Sequence, residues 1–522
     1  MDRRLVEKGR AQRAREFGSG VAAREAIVRM ALMYPSPYSV AMSSLGYLQI
    51  YRLANARGGT QCERAMLPDA EALFQHERTR TPLLTLETGT PTSDFDVLAI
   101  SHAYELEGTG IVTLLRLSGV NPLAVDRTPS DPLVVLGGPI TFSNPLPYAP
   151  FADVVVLGEG EACLDALLSR LEANPAAARG DGRARAKLLE ELAALSGFFV
   201  PAIHGERLPP IAQADDAMLP AHSTLFTPDT ELANMQLIEP ERGCHRGCTF
   251  CVMRRSTNQG MRLVPVERVL SHIDKDVPRV GLVGAAVSDH PKIREILRVL
   301  IEDHNKQVGI SSLRADRLDD RFVELLARGG YRSMTVALDA PSVRQRDEIE
   351  KNLKTSHVLE AARLAKAHGM RHLKIYVIVG LPGQTDDDLD ELSALSLELK
   401  QILPVVLSVS PFIPKFHTPL ADAPFAGERN TKGSLDRLRR RLSGQVRLRG
   451  PGVREAYVEY RLAQGGFRHA EAVIAAEADG GSLGAWVRAL SDVPERVRPS
   501  NFETLLPLPT VRRRFREKGV AP

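Results

Sequence analysis

Glu241-Arg242-Gly243-Cys244-His245-Arg246-Gly247-Cys248-Thr249-Phe250-Cys251 gathers three cysteines into eleven residues of a chain that holds only 5 cysteines in 522. Thiolates at spacings of four and then three residues can converge on three corners of an iron–sulfur cube, leaving one iron without a protein ligand. Structural metal sites are normally closed by four ligands, so an open corner points to a small molecule that completes the coordination. Three other readings fit less well. So few cysteines do not make a disulfide framework, and the start, Met1-Asp2-Arg3-Arg4-Leu5, has no apolar stretch of signal-peptide type. A zinc site needs a fourth ligand; His245 leaves the backbone between two of the thiols, and no CxxC or HxxxH partner follows. Three inert cysteines clustered by chance around two glycines is the weakest of the readings.

At 522 residues the chain has room for two or three domains, and 43% hydrophobic with 25% charged residues is the balance of an ordinary soluble protein. No apolar run approaches the length that spans a bilayer; the greasiest, such as 375–381, have strand length. A cytoplasmic protein with no membrane partner is expected, in the reducing compartment that a low-potential cluster needs. The net charge of +3 does not indicate nucleic acid, and the basic runs 437–441 and 512–516 read as solvated helix faces or tail.

Residues 1–25 read as a polar lead-in. From Ala26, β-rich runs at 27–34, 83–86, 97–101, 133–136 and 154–157 alternate with helical stretches such as 45–56 and 110–118. Nearly continuous apolar strands between helices indicate a parallel sheet covered on both faces, so 26–200 is predicted to be a Rossmann-like, doubly wound α/β domain. Residues 201–232, with several prolines and little periodicity, read as a linker. A second β/α series fills 233–429, with strands at 236–239, 280–284, 309–313, 333–338, 373–379 and 405–410. Six units fall short of an eight-fold barrel. The cysteine segment sits just after the first of these strands, at the end where such barrels build active sites. Residues 430–522 are expected to be mostly helical and contain the only tryptophan, Trp486.

The C-x3-C-x2-C spacing, with Phe250 just before the last cysteine, resembles the signature of radical S-adenosylmethionine (radical SAM) enzymes. That resemblance implies that Cys244, Cys248 and Cys251 ligate a 4Fe-4S cluster whose open iron is chelated by the amino and carboxylate groups of SAM. One electron then cleaves the sulfonium to a 5′-deoxyadenosyl radical. It also implies a partial (β/α)6 barrel and a low-potential electron donor such as flavodoxin or ferredoxin. On the same ground Phe250, Gly284, Ala285, Ser312, Arg314, Asp339, Gly380 and Leu381 are the expected SAM contacts. Gly284-Ala285-Ala286 stands where relatives have Gly-Gly-Glu around the methionyl amine, without the glutamate. Ser312 and Arg314 end the third strand, where ribose or carboxylate is bound, an arginine suiting a bidentate pair. Asp339 replaces a ribose-holding glutamate with a shorter carboxylate. In Gly380-Leu381-Pro382-Gly383 the glycines let the backbone approach adenine, and Thr385 caps the next helix. Lys415 and His417, in the proline-rich exit of the sixth strand, are candidate substrate contacts, with Arg461 and Trp486 from the helical region.

The first domain resembles the cobalamin-binding domain of many radical SAM proteins. The resemblance assigns Ser101, Gly137, Gly138 and Glu159 to cobalamin. The Asp-x-His-x-x-Gly motif that ligates cobalt is absent, the corresponding turn reading Tyr34-Pro35-Ser36-Pro37-Tyr38-Ser39. Cys62 and Cys163 are a thiolate short of the second cluster of methylthiotransferases. The expected function is thus radical SAM hydrogen abstraction from an unactivated carbon, extended to methyl transfer if cobalamin binds. The alternatives are isomerase, lyase or RNA-modifying chemistry beside a vestigial cobalamin domain, or a non-catalytic iron–sulfur protein.

Overall fold

Apolar runs of strand length, each followed by a helix with one buried face, build most of the chain. In the computed structural model, which describes residues 2–20, 24–253, 260–311, 313–499 and 501, they assemble into two units. Among the described residues, one comprises those up to 235 and again 461–501, the other Gln236–Tyr460.

In the first unit β1 (Val28–Tyr34), β2 (Thr60–Met66), β3 (Val97–Ser101), β4 (Leu133–Gly137), β5 (Val154–Val156) and β6 (Phe198–Phe199) form one sheet in the order β2-β1-β3-β4-β5-β6. All neighbours are parallel except β6, which runs antiparallel to β5. This is the flavodoxin-like variant of the doubly wound sheet, with its switch point between β1 and β3.

Strand β2 replaces the strand expected at 83–86, which makes only an isolated antiparallel bridge from Leu84 to Pro91. Glu63 and Arg64 mask β2 in the sequence because a run containing two charges does not read as interior, yet both are about 1% exposed. Arg64 is satisfied in place: its guanidinium donates to Glu16 at 2.8 and 2.7 Å and to Glu87 at 2.7 Å. Glu16 belongs to the expected lead-in, which instead forms a helix, Arg3–Ala14, capped by Asp2, and a short strand pair between Phe17–Gly18 and Leu225–Phe226. The expected linker is likewise part of this unit, with Ala212 bridging Gly158 beyond β5.

The C-terminal region is divided rather than a single helical appendage. Asn144 donates its amide to the carbonyls of Leu462, Ala463 and Gly465 at 3.3, 3.1 and 2.8 Å. The helices His469–Ala478 and Leu483–Leu490 follow, and Trp486 is buried in this unit.

In the second unit β7 (Met235–Ile238) leads into a hairpin of β8 (Glu241–Gly243) and β9 (Met261–Leu263). Then come β10 (Arg279–Leu282), β11 (Gln307–Ile310), β12 (Met334–Asp339), β13 (Leu373–Val379), β14 (Val405–Pro411) and β15 (Arg447–Arg449). They are hydrogen-bonded as β11-β10-β7 and β12-β13-β14-β15, in chain order as in a β/α barrel wall. The six expected strands are all present. The seventh, β15, parallel to β14, was not predicted: Arg-Leu-Arg with both arginines exposed has no apolar run to betray it. Among the described residues no helix is long and apolar enough to cross a membrane.

Candidate active site

The cysteine loop leaves β8 and is held from several sides. Arg246 grips Asp289, beyond β10, through Nε and Nη2 at 2.9 and 2.8 Å, and Arg317 adds a bond to the same carboxylate at 2.8 Å. Burial alone would raise the Asp289 carboxyl, but the hydrogen-bonded Arg246, with Arg314 nearby, holds it below the usual range. The Thr249 N–H donates to the Ile349 carbonyl at 3.0 Å, and the Leu420 N–H donates to the Thr249 carbonyl at 3.3 Å. Phe250 packs against an apolar cluster of Ala340, Ile349, Leu381 and Phe412. The loop is thereby tied to segments that follow β10, β12, β13 and β14.

Cys244, Cys248 and Cys251 are free thiols of intermediate exposure. Burial pushes Cys244 up to about 11 and Cys251 up to about 12; the Cys248 sulfur raises both further, and that of Cys244 raises Cys251. Burial also raises Cys248, against the pull of Lys351 and Arg314. Thiols that resist ionisation because of low dielectric and mutual repulsion are a donor set completed by strongly cationic irons, with protons released on binding. The Arg246 N–H points at the Cys244 sulfur at 3.4 Å, the kind of bond that tunes a cluster. Among the described residues no group of His, Cys, Asp or Glu gathers closely enough for one metal ion. Three free thiols on one clamped loop are donors of the kind that an iron–sulfur cluster takes.

The other expected SAM contacts are placed as follows. Gly284 follows β10, and its N–H and C=O are both engaged by the Ser311 hydroxyl, at 3.0 and 2.9 Å; Ala285 is its partly exposed neighbour. Glu241, which the sequence reading passed over, is fully buried and accepts the Ala286 N–H at 2.8 Å. Burial, with the charges of Glu239 and Asp289 adding to it, pushes its carboxyl up to about 7 against the Ala286 bond. Ser312 lies outside the described residues. Arg314 is buried, paired with Asp316 at 2.9 Å and donating to the Lys351 carbonyl at 3.1 Å.

Asp339 takes a left-handed backbone (φ 64°) where the β12–β13 register slips, and it is ion-paired with Lys351. Lys351, also missed, sits between two further left-handed residues, Glu350 (φ 56°) and Asn352 (φ 53°). Three such non-glycine residues in one neighbourhood are strain of the kind concentrated at functional sites. Nothing in the segment Glu350-Lys351-Asn352 signals that geometry beyond asparagine's tolerance of it. Gly380 is left-handed (φ 82°) and its N–H donates to the Gln384 side chain at 2.8 Å, while Leu381 joins the Phe250 cluster. Cys248, Arg314, Asp339 and Lys351 are thus close enough to act on one another electrostatically, with Phe250 and Leu381 against the same loop.

The expected substrate contacts are not brought together there. Lys415 pairs with Glu459 at 2.8 Å and His417 is buried. Arg461 and Trp486 lie in the core of the other unit, Arg461 donating to the carbonyls of Leu490 and Val493 at 2.6 and 2.9 Å.

Residues 238–395 match the family model described as the radical SAM superfamily, and residues 46–201 match that described as radical SAM proteins, N-terminal. The chain belongs to the radical SAM superfamily. Among relatives of this radical SAM protein, uncharacterized protein MJ0966 of Methanocaldococcus jannaschii is 27% identical over 75% of this chain and 79% of its own length. Uncharacterized methyltransferase PH0819 of Pyrococcus horikoshii is 22% identical over 49% and 56%. The solved cobalamin-dependent S-adenosylmethionine radical enzyme OxsB, with aqua-cobalamin bound, aligns at a TM-score of 0.50 and 14% identity, over 79% of this chain and 56% of OxsB. That likeness is one of fold.

The residues expected to hold cobalamin lie at the ends of β3, β4 and β5. A Cβ on Gly138 (φ 107°) would lie 2.6 Å from the His102 carbonyl oxygen, and one on Gly158 (φ 96°) 2.5 Å from that of Ala212. Backbone thus fills the space beside Gly138 and Gly158, while a Cβ on Gly137 would make only ordinary contacts with Val156, at 3.7 Å or more. Glu159 accepts the Ala214 N–H at 2.8 Å, so the segment around 212–214 lies across the end of β5. Ser101 and Gly137 are register partners on β3 and β4. At the switch point Ser36 bonds Glu107 at 2.7 Å, tying the turn after β1 to the segment after β3. His102 is fully buried, with Nε2 on the Tyr104 carbonyl at 2.7 Å and its ring edge-on to Tyr148. A cavity of about 420 Å³ does open in this unit, under the Arg3–Ala14 helix and beside Arg64, but none of the four residues lines it.

Proposed function

We propose that Cys244, Cys248 and Cys251 hold a 4Fe-4S cluster and that this radical SAM enzyme binds S-adenosylmethionine beside it, to abstract hydrogen from an unactivated substrate carbon. The observation that carries the reading is the clamped cysteine loop, with Arg314, Asp339 and Lys351 grouped about Cys248. When bound, the cluster supplies the electron that cleaves the sulfonium. Arg314 offers a guanidinium to a carboxylate, the Asp339 carboxylate suits ribose hydroxyls, and the Phe250–Leu381 cluster offers an apolar wall to adenine. Ser312, expected at the end of the third strand of the series, serves the ribose or carboxylate in the same reading. A low-potential flavodoxin- or ferredoxin-type donor and a cytoplasmic setting belong to the same reading.

Anaerobic reconstitution with iron and sulfide, followed by reduction with SAM present, is expected to yield 5′-deoxyadenosine. An intact, reduced cluster that yields none defeats the proposal. Cys248→Ala is expected to lose the cluster's iron, and an unchanged iron count refutes the ligand assignment.

Of the outcomes open to the first domain, the 212–214 segment across the end of β5 and the absence of a histidine from the turn after β1 favour chemistry without cobalamin over cobalamin-dependent methyl transfer. Protein purified in the presence of hydroxocobalamin is expected to show no cobalamin absorbance after desalting. Stoichiometric retention would restore the methyl-transfer reading, the one in keeping with the name of the Pyrococcus relative.

A further inference from the structure

Strands β12, β13 and β14 pair in parallel, and every second residue along them is buried, as Leu373, Ile375, Val377 and Val379 are on β13. Among the described residues the opposite face is only partly covered. A parallel sheet is ordinarily covered on both faces, and a closed β/α barrel fills its interior with Val, Ile and Leu. Here the register sets Thr335, Lys374, Val406 and Arg447 in one row across the open face. The next row is Ala337, Tyr376, Ser408 and Arg449. Tyr376 is 42% exposed, and both arginines are exposed. Lys374 donates to the Tyr376 hydroxyl at 2.8 Å with its ammonium 4.6 Å from the ring centre, which leaves the phenol its own proton to donate. No carboxylate stands in either row, and neither arginine forms an ion pair among the described residues. Arginines on an edge strand can serve merely to keep other strands away. That does not account for Lys374 and Tyr376, which stand on β13 with a strand paired on either side. The same face continues along β13 to Ile378, which packs with Phe250 against the cluster of Ala340, Ile349, Leu381 and Phe412. At about 3.3 Å per residue, Tyr376 follows roughly 7 Å and Lys374 roughly 13 Å along the strand from that contact.

We infer that this face receives the substrate of the radical SAM reaction and that the substrate carries an anionic group, a phosphate or a carboxylate, bound between Arg449 and the Lys374–Tyr376 pair. Strands lie about 4.8 Å apart, so Tyr376 and Arg449, two strands apart in one row, start about 10 Å from each other at the backbone. Side chains of this length span such a gap and converge on one group, with the Ser408 hydroxyl between them. The guanidinium offers paired donors that match either anion, and the ammonium adds a compact charge. Arg447, one row back, strengthens the field that draws the anion in. Calling the bound molecule a substrate rests on the proposed function; the anion site itself rests on the sheet alone.

The test is anaerobic titration calorimetry on the reconstituted full-length protein at low ionic strength, with SAM saturating so that its own site is filled. Pyrophosphate is the probe in one arm and citrate in the other. The wild type is expected to bind at least one of them; pyrophosphate alone identifies a phosphate-bearing substrate, and citrate alone a carboxylate-bearing one. The double variant Lys374→Gln/Arg449→Gln is expected to retain its iron and to bind the probe at least about tenfold more weakly. Arg440→Gln, on the exposed side of the helix Gly427–Leu442, is expected to bind it as the wild type does. Wild-type protein that binds neither probe overturns the inference, as does a double variant that binds like the wild type. An equal loss in Arg440→Gln overturns it too, because the attraction would then be one of overall charge. If the double variant takes up no iron, Tyr376→Phe, which removes only the hydroxyl, is expected to weaken binding about two- to tenfold, and unchanged affinity there overturns the placement. Wild-type protein that binds the probe but yields no 5′-deoxyadenosine defeats the proposed function instead, and leaves an anion site without a substrate.

Discussion

His102 shows what a single buried ring does to the response of the first unit to acid. Complete burial, opposed only by the Tyr104 carbonyl, pushes its imidazole down to about 3 from an ordinary 6.5. The folded protein therefore holds His102 neutral over a range in which the unfolded chain takes up a proton. Its contribution is fully present above about pH 6.5 and is lost as pH falls from there toward about 3. On that basis acidification from pH 7 to pH 5 removes on the order of 2 kcal/mol. His102→Gln, whose amide can still donate to Tyr104, is expected to unfold in urea with a midpoint that falls less over this interval than that of the wild type. Equal pH slopes would show that the ring protonates in the folded state. The same ring marks the limit of residue-by-residue reading. A lone histidine at a strand end reads more often as a hydrogen-bonded packing residue than as a ligand, but the partners that make it one, the Tyr104 carbonyl and the Tyr148 ring, are named only by the fold.

Among the elements, β2 is tied by one guanidinium to Glu16, just beyond the Arg3–Ala14 helix, and to Glu87. Arg64 serves Glu16 and Glu87 at once and stacks over the Tyr51 ring at 4.9 Å, with all three ionic side chains at most 4% exposed. Arg64→Met keeps the bulk but strands two carboxylates in the interior, and breaking a buried pair in this way costs about 3–5 kcal/mol. The expected result is a lower melting temperature together with new proteolytic cleavage within residues 2–20, as Glu16 loses its anchor. A variant that melts like the wild type would mean that the carboxylates simply take up protons.

This element also shows what the sequence could and could not disclose. Strands with a strong apolar pattern were legible: Leu133–Leu136 is an uninterrupted run buried throughout, and Leu373–Val379 is buried at alternate residues. Strand β2 was not, because its charges find partners 23 and 48 residues away. Strand β15 was not, because three residues on a sheet edge need no apolar signal. In the candidate site the cysteines were legible from spacing alone. Lys351 and Glu241 were not, since each acquires its role from a neighbour distant in sequence, Asp339 in one case and Ala286 in the other.

In the whole molecule the two units offer separate spectroscopic handles. The only tryptophan, Trp486, is 2% exposed within the first, whereas Cys244, Cys248 and Cys251 belong to the second. Tryptophan emission during denaturation is therefore expected to follow the first unit alone, and the visible absorbance of a reconstituted cluster the second. A chain ended at residue 460 would remove the acceptors of Asn144 and the helices that return to the first unit. It is expected to leave residues 2–235 sensitive to protease while 236–460 still takes up iron. Persistent resistance of the first unit would mean that 461–501 adds little to it.

The split of the first unit across the sequence also orders events on the ribosome. Its final segment emerges only after all of 236–460 has been translated, so the two outer portions must wait, incomplete, while the intervening one emerges and can fold first. Whatever delays maturation of that middle portion, including a shortage of iron, then prolongs the time for which the unfinished sheet is exposed to chaperones and proteases.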